Sequence, residues 1–168
     1  MNFNEAKPDL ETIFRAQYER IARVIGGVTR DPARAEELAV EVFLKWSRSS
    51  KAHGEKPEGW LYRTAIRTGL NELRQQTRRS RYESLVDFVR GSRSPHDLLA
   101  AREEQERVRV VLGAMPQRQA ELVLLRSQDL SYDELANALD LKPASVGTLL
   151  SRAQKAFRKE YMKRYGQQ

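Results

Sequence analysis

The chain contains no cysteine and only two histidines, His53 and His96. Without cysteine it can form neither a disulfide framework nor a thiolate metal site, and two histidines are too few for a histidine-rich metal centre. No apolar run approaches the roughly 18 residues of a membrane-spanning helix, and residues 1–10 lack a basic start followed by an apolar stretch. We therefore expect a soluble, cytoplasmic protein with no membrane insertion, no metal and no cofactor, in which both histidines are ordinary surface residues.

Enzyme signatures are also lacking. The aspartates are scattered, mostly at predicted caps or turns, and the sequence has no glycine-rich phosphate loop and no Ser or His setting that suggests a nucleophile. No catalytic residue is predicted. The 168 residues carry 30 Lys plus Arg against 23 Asp plus Glu, a net charge of +7. This charge favours an acidic partner, most commonly nucleic acid, although many of the charges will only solvate helix faces.

Apolar spacing predicts helices throughout the first half of the chain. Residues at three- and four-residue steps from Leu10 to Ile25 form one helical face, and Gly26-Gly27 is expected to end that helix. Asp31-Pro32 predicts the cap and first turn of a second helix that reaches about Arg48. Residues 49–59 are small, polar and broken by glycine and proline, which predicts an exposed loop. A third helix begins around residues 58–60, with inward candidates Leu61, Ala65, Leu70 and Leu73.

The second half has the pattern of a helix-turn-helix. Residues 82–97 lose their periodicity after Val89 and contain Gly91 and Pro95, which predicts a linker with room for a short helical piece. Helices are expected over 98–114 and 117–128, and the Ser131–Glu134 capping box begins a short one. After a turn at 140–143, Ala144 or Ser145 caps a helix that reaches about Tyr161. The predicted fold is all-α: two small helical domains, 1–81 and 98–168, joined by a flexible linker, 82–97, with a C-terminal helix-turn-helix.

The last helix has one apolar and one hydrophilic face. In a helix lying in the major groove, residues near the N-terminus meet base edges and later cations meet phosphates. The base-edge candidates are Ser145, Thr148, Ser151 and Arg152. The phosphate candidates are Lys155, Arg158 and Lys159. The apolar face holds Val146, Leu149, Leu150, Ala153 and Phe157. A helical hairpin with a solvated basic face has the same spacing, so both interpretations stay open.

Two further surfaces allow a functional and an ordinary interpretation. The third helix carries a row of cations interleaved with Trp60, Tyr62 and, beyond them, Tyr82. This combination is suited to binding unpaired bases. Aromatic residues in the core and a solvated helix end account for it equally. Its cations are Arg63, Arg67, Arg74, Arg78, Arg79 and Arg81. The second helix combines an acidic rim with an apolar centre, which fits either a protein-binding face or three-helix packing. Its residues are Glu36, Glu37, Glu41, Phe43, Leu44 and Trp46.

Together these residues resemble the bacterial sigma factors of the extracytoplasmic-function (ECF) group. The third helix reads WLYRTAIRTGLNELR from Trp60 to Arg74 and is similar, without a gap, to the family pattern WLYRIARNLALDRLR. Residues 35–44, AEELAVEVFL, resemble the family's AEDLVQETFL. Met115-Pro116 with Gln119, and the stretch from Leu130 to Ala136, are similar to the downstream pattern LP…Q and LSYxEIA. The resemblance covers roughly residues 10–161.

The resemblance implies a non-enzymatic subunit that binds the RNA polymerase core, directs it to promoter DNA and helps to open the duplex. The loop 49–59 would capture an extruded minus-10 base, the helix-turn-helix would read the minus-35 duplex, and an anti-sigma factor would hold the protein inactive. The DNA-facing residues carried over to the third helix are Arg63, Arg67, Asn71 and Arg74, to which the basic row adds Arg78. The residues implied to contact the polymerase core are Glu37, Leu38, Glu41, Phe43 and Leu44.

Two other functions remain open from the sequence. One is a helix-turn-helix regulator that binds an operator without being a polymerase subunit, generally as a dimer on paired half-sites. The other is an adaptor that mimics a sigma factor to titrate its anti-sigma factor and binds no DNA. The Arg row of the third helix disfavours the first alternative, and Arg152 and Lys155 disfavour the second.

Overall fold

The structure, a computed structural model, describes residues 9–52, 56–90 and 97–166. Within those ranges every regular element is helical, which confirms the predicted all-α fold. The two histidines lie outside the described residues. The helices are α1 (Leu10–Thr29), α2 (Pro32–Arg48), α3 (Pro57–Arg90), α4 (Asp97–Ala114), α5 (Gln117–Ser127), α6 (Tyr132–Leu139) and α7 (Pro143–Tyr165), with a 3-10 turn at Ser50–Ala52 between α2 and α3.

Aspartate side chains cap the first two helices. Asp9 Oδ1 accepts from the Thr12 backbone N–H at 2.7 Å, and this hydrogen bond lowers the pKa of the Asp9 carboxyl. Asp31 Oδ1 accepts from the Arg34 N–H at 3.0 Å, and Pro32 occupies the first turn. Each cap satisfies a backbone donor that has no partner inside its helix. The start of α2 predicted at Asp31-Pro32 is confirmed.

The predicted end of α1 at Gly26-Gly27 is wrong. The helix continues to Thr29, and Arg30 then adopts the left-handed conformation with φ 57°. Val28 and Thr29 are buried, and the Thr29 hydroxyl donates to the Ile25 carbonyl at 3.0 Å. Because burial continues past the glycines, tertiary packing outweighs their low helix propensity.

The end of α3 and the start of α7 also differ from the prediction. α3 runs to Arg90, so residues 82–90 of the predicted linker are helical, while residues 91–96 lie outside the described residues. α7 begins at Pro143 with Lys142 at the N-cap, instead of being capped by Ala144 or Ser145. Proline suits this first position because its φ is already helical and its missing N–H would have no intrahelical partner.

α7 also extends past Tyr161, its predicted end, to Tyr165. The Tyr161 hydroxyl donates to the Glu104 carboxylate of α4 at 2.7 Å, and this bond raises the pKa of the phenol. The guanidinium of Arg107 lies 5.3 Å from the centre of the Tyr165 ring. The last turns of α7 are therefore attached to α4 by aromatic side chains.

The helix-turn-helix prediction is confirmed by its local geometry. Ser131 and Glu134 form a complete capping box: the Ser131 side chain accepts from the Glu134 N–H, and the Glu134 carboxylate accepts from the Ser131 N–H. Asp140 ends α6 in the left-handed conformation with φ 53°. α7 then buries Val146, Leu150 and Ala153.

α3 is the central helix and packs against both halves of the chain. It contacts α1 and α2, which together with α3 form the N-terminal half, and it also contacts α4, α5 and α6 of the C-terminal half, α4–α7. The inward residues predicted for it are fully buried, and Ile66 joins them: Leu61, Ala65, Ile66, Leu70 and Leu73. One hydrophobic cluster therefore spans the two halves.

Replacing Ser131 with alanine tests the capping box. We expect Ser131→Ala to lower the free energy of unfolding by about 1 kcal/mol, because the Glu134 N–H loses its acceptor. Urea denaturation followed by circular dichroism measures this change. Ser80→Ala, at an exposed position on α3, is the control. Equal stability of the two variants would contradict the role assigned to the cap.

Candidate nucleic-acid interface

The outer face of α7 is open to solvent. Thr148, Ser151, Arg152 and Lys155 are exposed and Ser145 is half-buried, while Val146, Leu150 and Ala153 lie buried on the opposite face. Farther along the helix, Arg158 and Lys159 are exposed as well. Short polar side chains thus precede cations along one accessible face, the order suited to a helix whose first turns enter a major groove.

Two cations of α3, Arg67 and Arg74, by contrast, bond to the C-terminal half. Arg67 Nε lies 2.7 Å from Glu121 Oε1 of α5. The Glu121 side chain is 1% exposed and that of Arg67 is 52% exposed. Gln117 Nε2 donates to the same carboxylate oxygen at 2.8 Å. A buried carboxylate costs much free energy unless it is paired and hydrogen-bonded, and these two donors satisfy it.

Arg74 makes a second link between the halves. Its Nε donates to the Gly113 carbonyl at 3.1 Å and its Nη1 to Gln117 Oε1 at 2.7 Å. Gly113 lies in the last turn of α4, where carbonyls carry the negative end of the helix dipole. Arg67 therefore bonds to the C-terminal half while staying exposed, and Arg74 is half-buried against it; their contact with DNA stays a prediction. Of the other residues predicted to face DNA, Asn71 and Arg78 are exposed and Arg63 is half-buried.

The aromatic residues near the start of α3 belong mainly to the core. Tyr62 is buried, its hydroxyl lies 3.3 Å from Gln17 Oε1, and the Arg20 guanidinium lies 4.8 Å from its ring centre. Burial raises the pKa of the Tyr62 phenol. Trp60 is half-buried against the hydrophobic cluster, whereas Tyr82 is 74% exposed. The idea of Tyr62 as a stacking platform for bases is wrong, because its ring is covered.

The start of the predicted loop 49–59 is anchored to α2. Trp46 Nε1 donates to the Ala52 carbonyl at 3.2 Å, and both residues are buried. Residues 53–55 lie outside the described residues. At the other end of the loop, Gly59 is buried against Asn137 of α6, so closely that a Cβ there would lie 3.0 Å from the Asn137 carbonyl oxygen. The predicted exposed loop therefore has two buried ends.

The residues of α2 predicted to contact the polymerase fall into two groups, one exposed and one buried. Glu37, Glu41 and Leu44 are exposed. Leu38 and Phe43 are buried, and the Phe43 ring packs edge-on against Phe14 with 4.9 Å between ring centres. Assigning these two as contact residues is wrong, because they are core residues beneath that face.

Sequence reasoning also missed an exposed apolar residue on this face. Val40 is 41% exposed, beside Leu44 at 44%. In the sequence, the signal of this exposed pair was the spacing of four residues, about one helical turn, among glutamates. Glu37, Val40, Glu41 and Leu44 therefore form what we call the α2 face, an apolar pair with carboxylates around it.

The contacts between the halves were missed as well. Arg20 Nη2 lies 3.0 Å from Glu134 Oε1, while the other carboxylate oxygen of Glu134 serves the capping box. The Ser131 N–H, more than Arg20, lowers the pKa of Glu134, so the carboxylate stays charged opposite Arg20. Arg109 of α4 donates to the Thr29 carbonyl at 3.4 Å and to the Gln76 side chain. Glu121, an acid inside the apolar stretch of α5, was the one sequence signal of such a contact.

Nothing in the described part of the chain suggests a metal or membrane site. Across residues 9–52, 56–90 and 97–166, no three His, Asp or Glu side chains are grouped to hold a metal ion. No helix in those ranges is long and apolar enough to span a bilayer.

Comparison with known proteins gives two family matches, one in each half. Residues 13–79 match the family described as Sigma-70 region 2, and residues 105–157 match Sigma-70, region 4. These ranges include α1–α3 up to Arg79, and the helix-turn-helix with the helices before it. The exposed face of α7 thus lies in region 4, and the α2 face lies in region 2.

Whole-length relatives carry the same description. The chain is 28% identical over 166 residues to RNA polymerase sigma factor YlaC of Bacillus subtilis (strain 168), covering 94% of each protein. It is 26% identical to Probable RNA polymerase sigma factor RfaY of Xanthomonas campestris pv. campestris, over 91% of this chain and 40% of that protein. With ECF RNA polymerase sigma factor SigK of Mycobacterium sp. (strain KMS) the identity is 30%, over 83% of this chain and 76% of the relative. The chain therefore belongs to the ECF RNA polymerase sigma factors, alternative sigma factors that direct promoter recognition.

Proposed function

We propose that this sigma factor binds the RNA polymerase core through its N-terminal half, reads a minus-35 duplex with α7, and engages an opened minus-10 element with α3 and the loop before it. Its domains would be residues 1–81 and 98–168, with 82–97 as the connection. It would have no catalytic step of its own and would act in the cytoplasm, where the polymerase works. An anti-sigma factor as its inhibitor rests on the family resemblance alone.

The observation that carries this proposal is the exposed face of α7. Ser145, Thr148, Ser151 and Arg152 lie within the first ten residues of the helix, and Lys155 follows. The buried face of the same helix fixes its rotation, so these side chains point outward together. Such a face allows hydrogen bonds to base edges near the helix start and contacts to phosphates farther along.

The α2 face supports the polymerase contact. Two carboxylates, Glu37 and Glu41, stand beside the exposed apolar pair Val40 and Leu44. An apolar centre with a polar rim is the usual composition of a protein–protein interface. Beneath it, Leu38, Val42 and Phe43 anchor α2 in the core. The helix therefore offers a preformed surface that need not fold on binding.

Run-off transcription tests the function as a whole. We expect purified protein plus core polymerase to produce start sites on fragments of the source genome that core polymerase alone does not produce. Absence of any new start site, together with binding of duplex DNA that needs no polymerase, would contradict the proposal and support an operator-binding regulator.

Arg152→Ala tests base reading by α7. If Arg152 makes a bidentate contact to a base, the variant loses about 1–3 kcal/mol of discrimination between the promoter duplex and duplexes with one changed base pair. Fluorescence anisotropy measures both affinities. Lys163→Ala, an exposed cation in the last turn of α7, is the control. An equal loss on every duplex would show that Arg152 contacts only phosphate.

The α2 face is tested by Glu41→Lys combined with Leu44→Ala. Because both side chains are exposed, we expect the circular dichroism spectrum to stay helical while affinity for core polymerase falls by on the order of tenfold, or about 1.4 kcal/mol. Pull-down with immobilised core polymerase measures this. Glu19→Lys, an exposed acid on α1, makes the same charge change elsewhere. Unchanged capture would show that the polymerase binds a different surface.

A further inference from the structure

Three arginines from two helices line one cleft beside the end of α4. Arg74 and Arg78 come from α3, Arg164 comes from the last turn of α7, and the cleft between them has a volume of about 330 Å³. We propose that this cleft binds a diphosphate group, either as free pyrophosphate or as part of a nucleoside diphosphate or triphosphate. The inference goes beyond the proposed function, which assigns no small-molecule ligand to the chain.

The charges around the cleft are not balanced. Arg74 and Arg78 are four residues apart, so their side chains are neighbours on α3, and Arg164 adds a third guanidinium from α7. Among the described residues, the one carboxylate paired with any of the three belongs to Glu160, 2.7 Å from Arg164 Nε, and Glu160 does not line the cleft. Like charges held close together cost free energy, which an anion bound among them recovers.

Two of the arginines keep donors for a ligand. Arg78 and Arg164 are exposed, and within the described ranges each uses only its Nε, Arg78 for the Arg74 carbonyl at 3.4 Å and Arg164 for Glu160. Their terminal Nη groups make no hydrogen bond to any described residue. A guanidinium binds two oxygens of one phosphate through such donors. Two arginines therefore suit the two phosphates of a diphosphate.

Arg74 is the fixed part of the lining. Its Nε donates to the Gly113 carbonyl at 3.1 Å and its Nη1 to Gln117 Oε1 at 2.7 Å. Both acceptors are neutral, so they hold the guanidinium in place without cancelling its charge. Gly113 allows this close approach, because a Cβ there would lie 3.3 Å from Leu73 Cδ2 and 3.6 Å from Arg74 Cγ. A side chain that is already ordered loses little entropy when a ligand binds.

The size and the remaining lining of the cleft favour a small anion. Val110 and Gly113 are half-buried, and Ala114 lies exposed at the same cleft. Small-molecule sites combine an apolar lining with a few placed polar groups and have volumes of about 300–1,000 Å³. This cleft is at the lower end of that range. It therefore matches a compact phosphate compound better than an extended polyanion.

Isothermal titration calorimetry of the full-length protein with inorganic pyrophosphate tests the site. We expect saturable binding of one pyrophosphate per chain. We also expect a higher melting temperature in its presence, because a ligand that binds only the folded state stabilises it. Adenosine, which carries no phosphate, should give no heat of binding. Absence of saturable pyrophosphate binding would overturn the proposal.

Arg164→Gln removes one guanidinium that belongs to no surface assigned above to DNA or polymerase. We expect the dissociation constant for pyrophosphate to rise on the order of tenfold, because a charge-assisted contact to phosphate is lost. Lys163→Gln is the matched control, since it removes one positive charge from the neighbouring exposed residue, which does not line the cleft. An equal loss of affinity in the two variants would overturn the site, because net charge alone would then explain the binding.

Ala114→Glu is a second variant, independent of the bond between Arg164 and Glu160. It adds a carboxylate at an exposed position of the cleft. We expect pyrophosphate to bind on the order of tenfold more weakly, because like charges are brought together. Ala101→Glu makes the same charge change at an exposed position near the start of α4. Unchanged pyrophosphate affinity of Ala114→Glu would contradict the placement of the ligand.

Competition against pyrophosphate separates the sources of the diphosphate. Tighter binding of adenosine diphosphate than of pyrophosphate would support a nucleotide ligand, and equal binding would support recognition of the phosphates alone. A single-stranded oligonucleotide is the third competitor, because Arg74 and Arg78 also belong to the proposed DNA-facing row. Oligonucleotide binding that depends on Arg164, without binding of pyrophosphate or adenosine diphosphate, would assign the cleft to a DNA phosphate and overturn the small-molecule site. Run-off transcription tests the sigma-factor function separately from all of these outcomes.

Discussion

Burial of α3 from two sides is the constraint on which the rest of the structure depends. Leu61, Ile66, Leu70 and Leu73 are fully buried, and the helix contacts elements of both halves along its length. Apolar burial of this kind is the main favourable contribution to folding. The same helix carries the arginine row, so any helix that packs on its other side must supply acceptors. Glu121, Gln117 and the end of α4 meet that requirement.

The ion pairs between the halves are better suited to specificity than to stability. Desolvating a buried carboxylate such as Glu121 can cost more free energy than its attraction to a partner regains. The side chains of Arg20 and Glu134 are 43% and 37% exposed, so solvent weakens their attraction and salt screens it. Such contacts fix where the C-terminal half sits, while the shared apolar cluster supplies the main stabilisation.

The sequence predicts most of the local structure because its signals are local. The caps at Asp31 and Ser131 and the buried stripe of α7 depend on residues within one or two helical turns. Residues far along the chain decide where α1 ends and which partner Arg67 has. Arg67 and Glu121 are 54 positions apart, and no periodicity connects them. Leu38 and Phe43 were misassigned because a motif does not distinguish a contact residue from the core residue supporting it.

The aromatic attachment of α7 to α4 has a mechanical consequence. Tyr161 bonds to Glu104, and Phe157, Tyr161 and Tyr165 follow one another along α7 with adjacent ring centres 6.2 and 5.3 Å apart. This ladder braces the recognition helix α7 against α4. The recognition helix α7 is therefore held rigidly within the C-terminal half. Loss of one ring from this ladder would therefore disturb the orientation of the exposed α7 face from a distance.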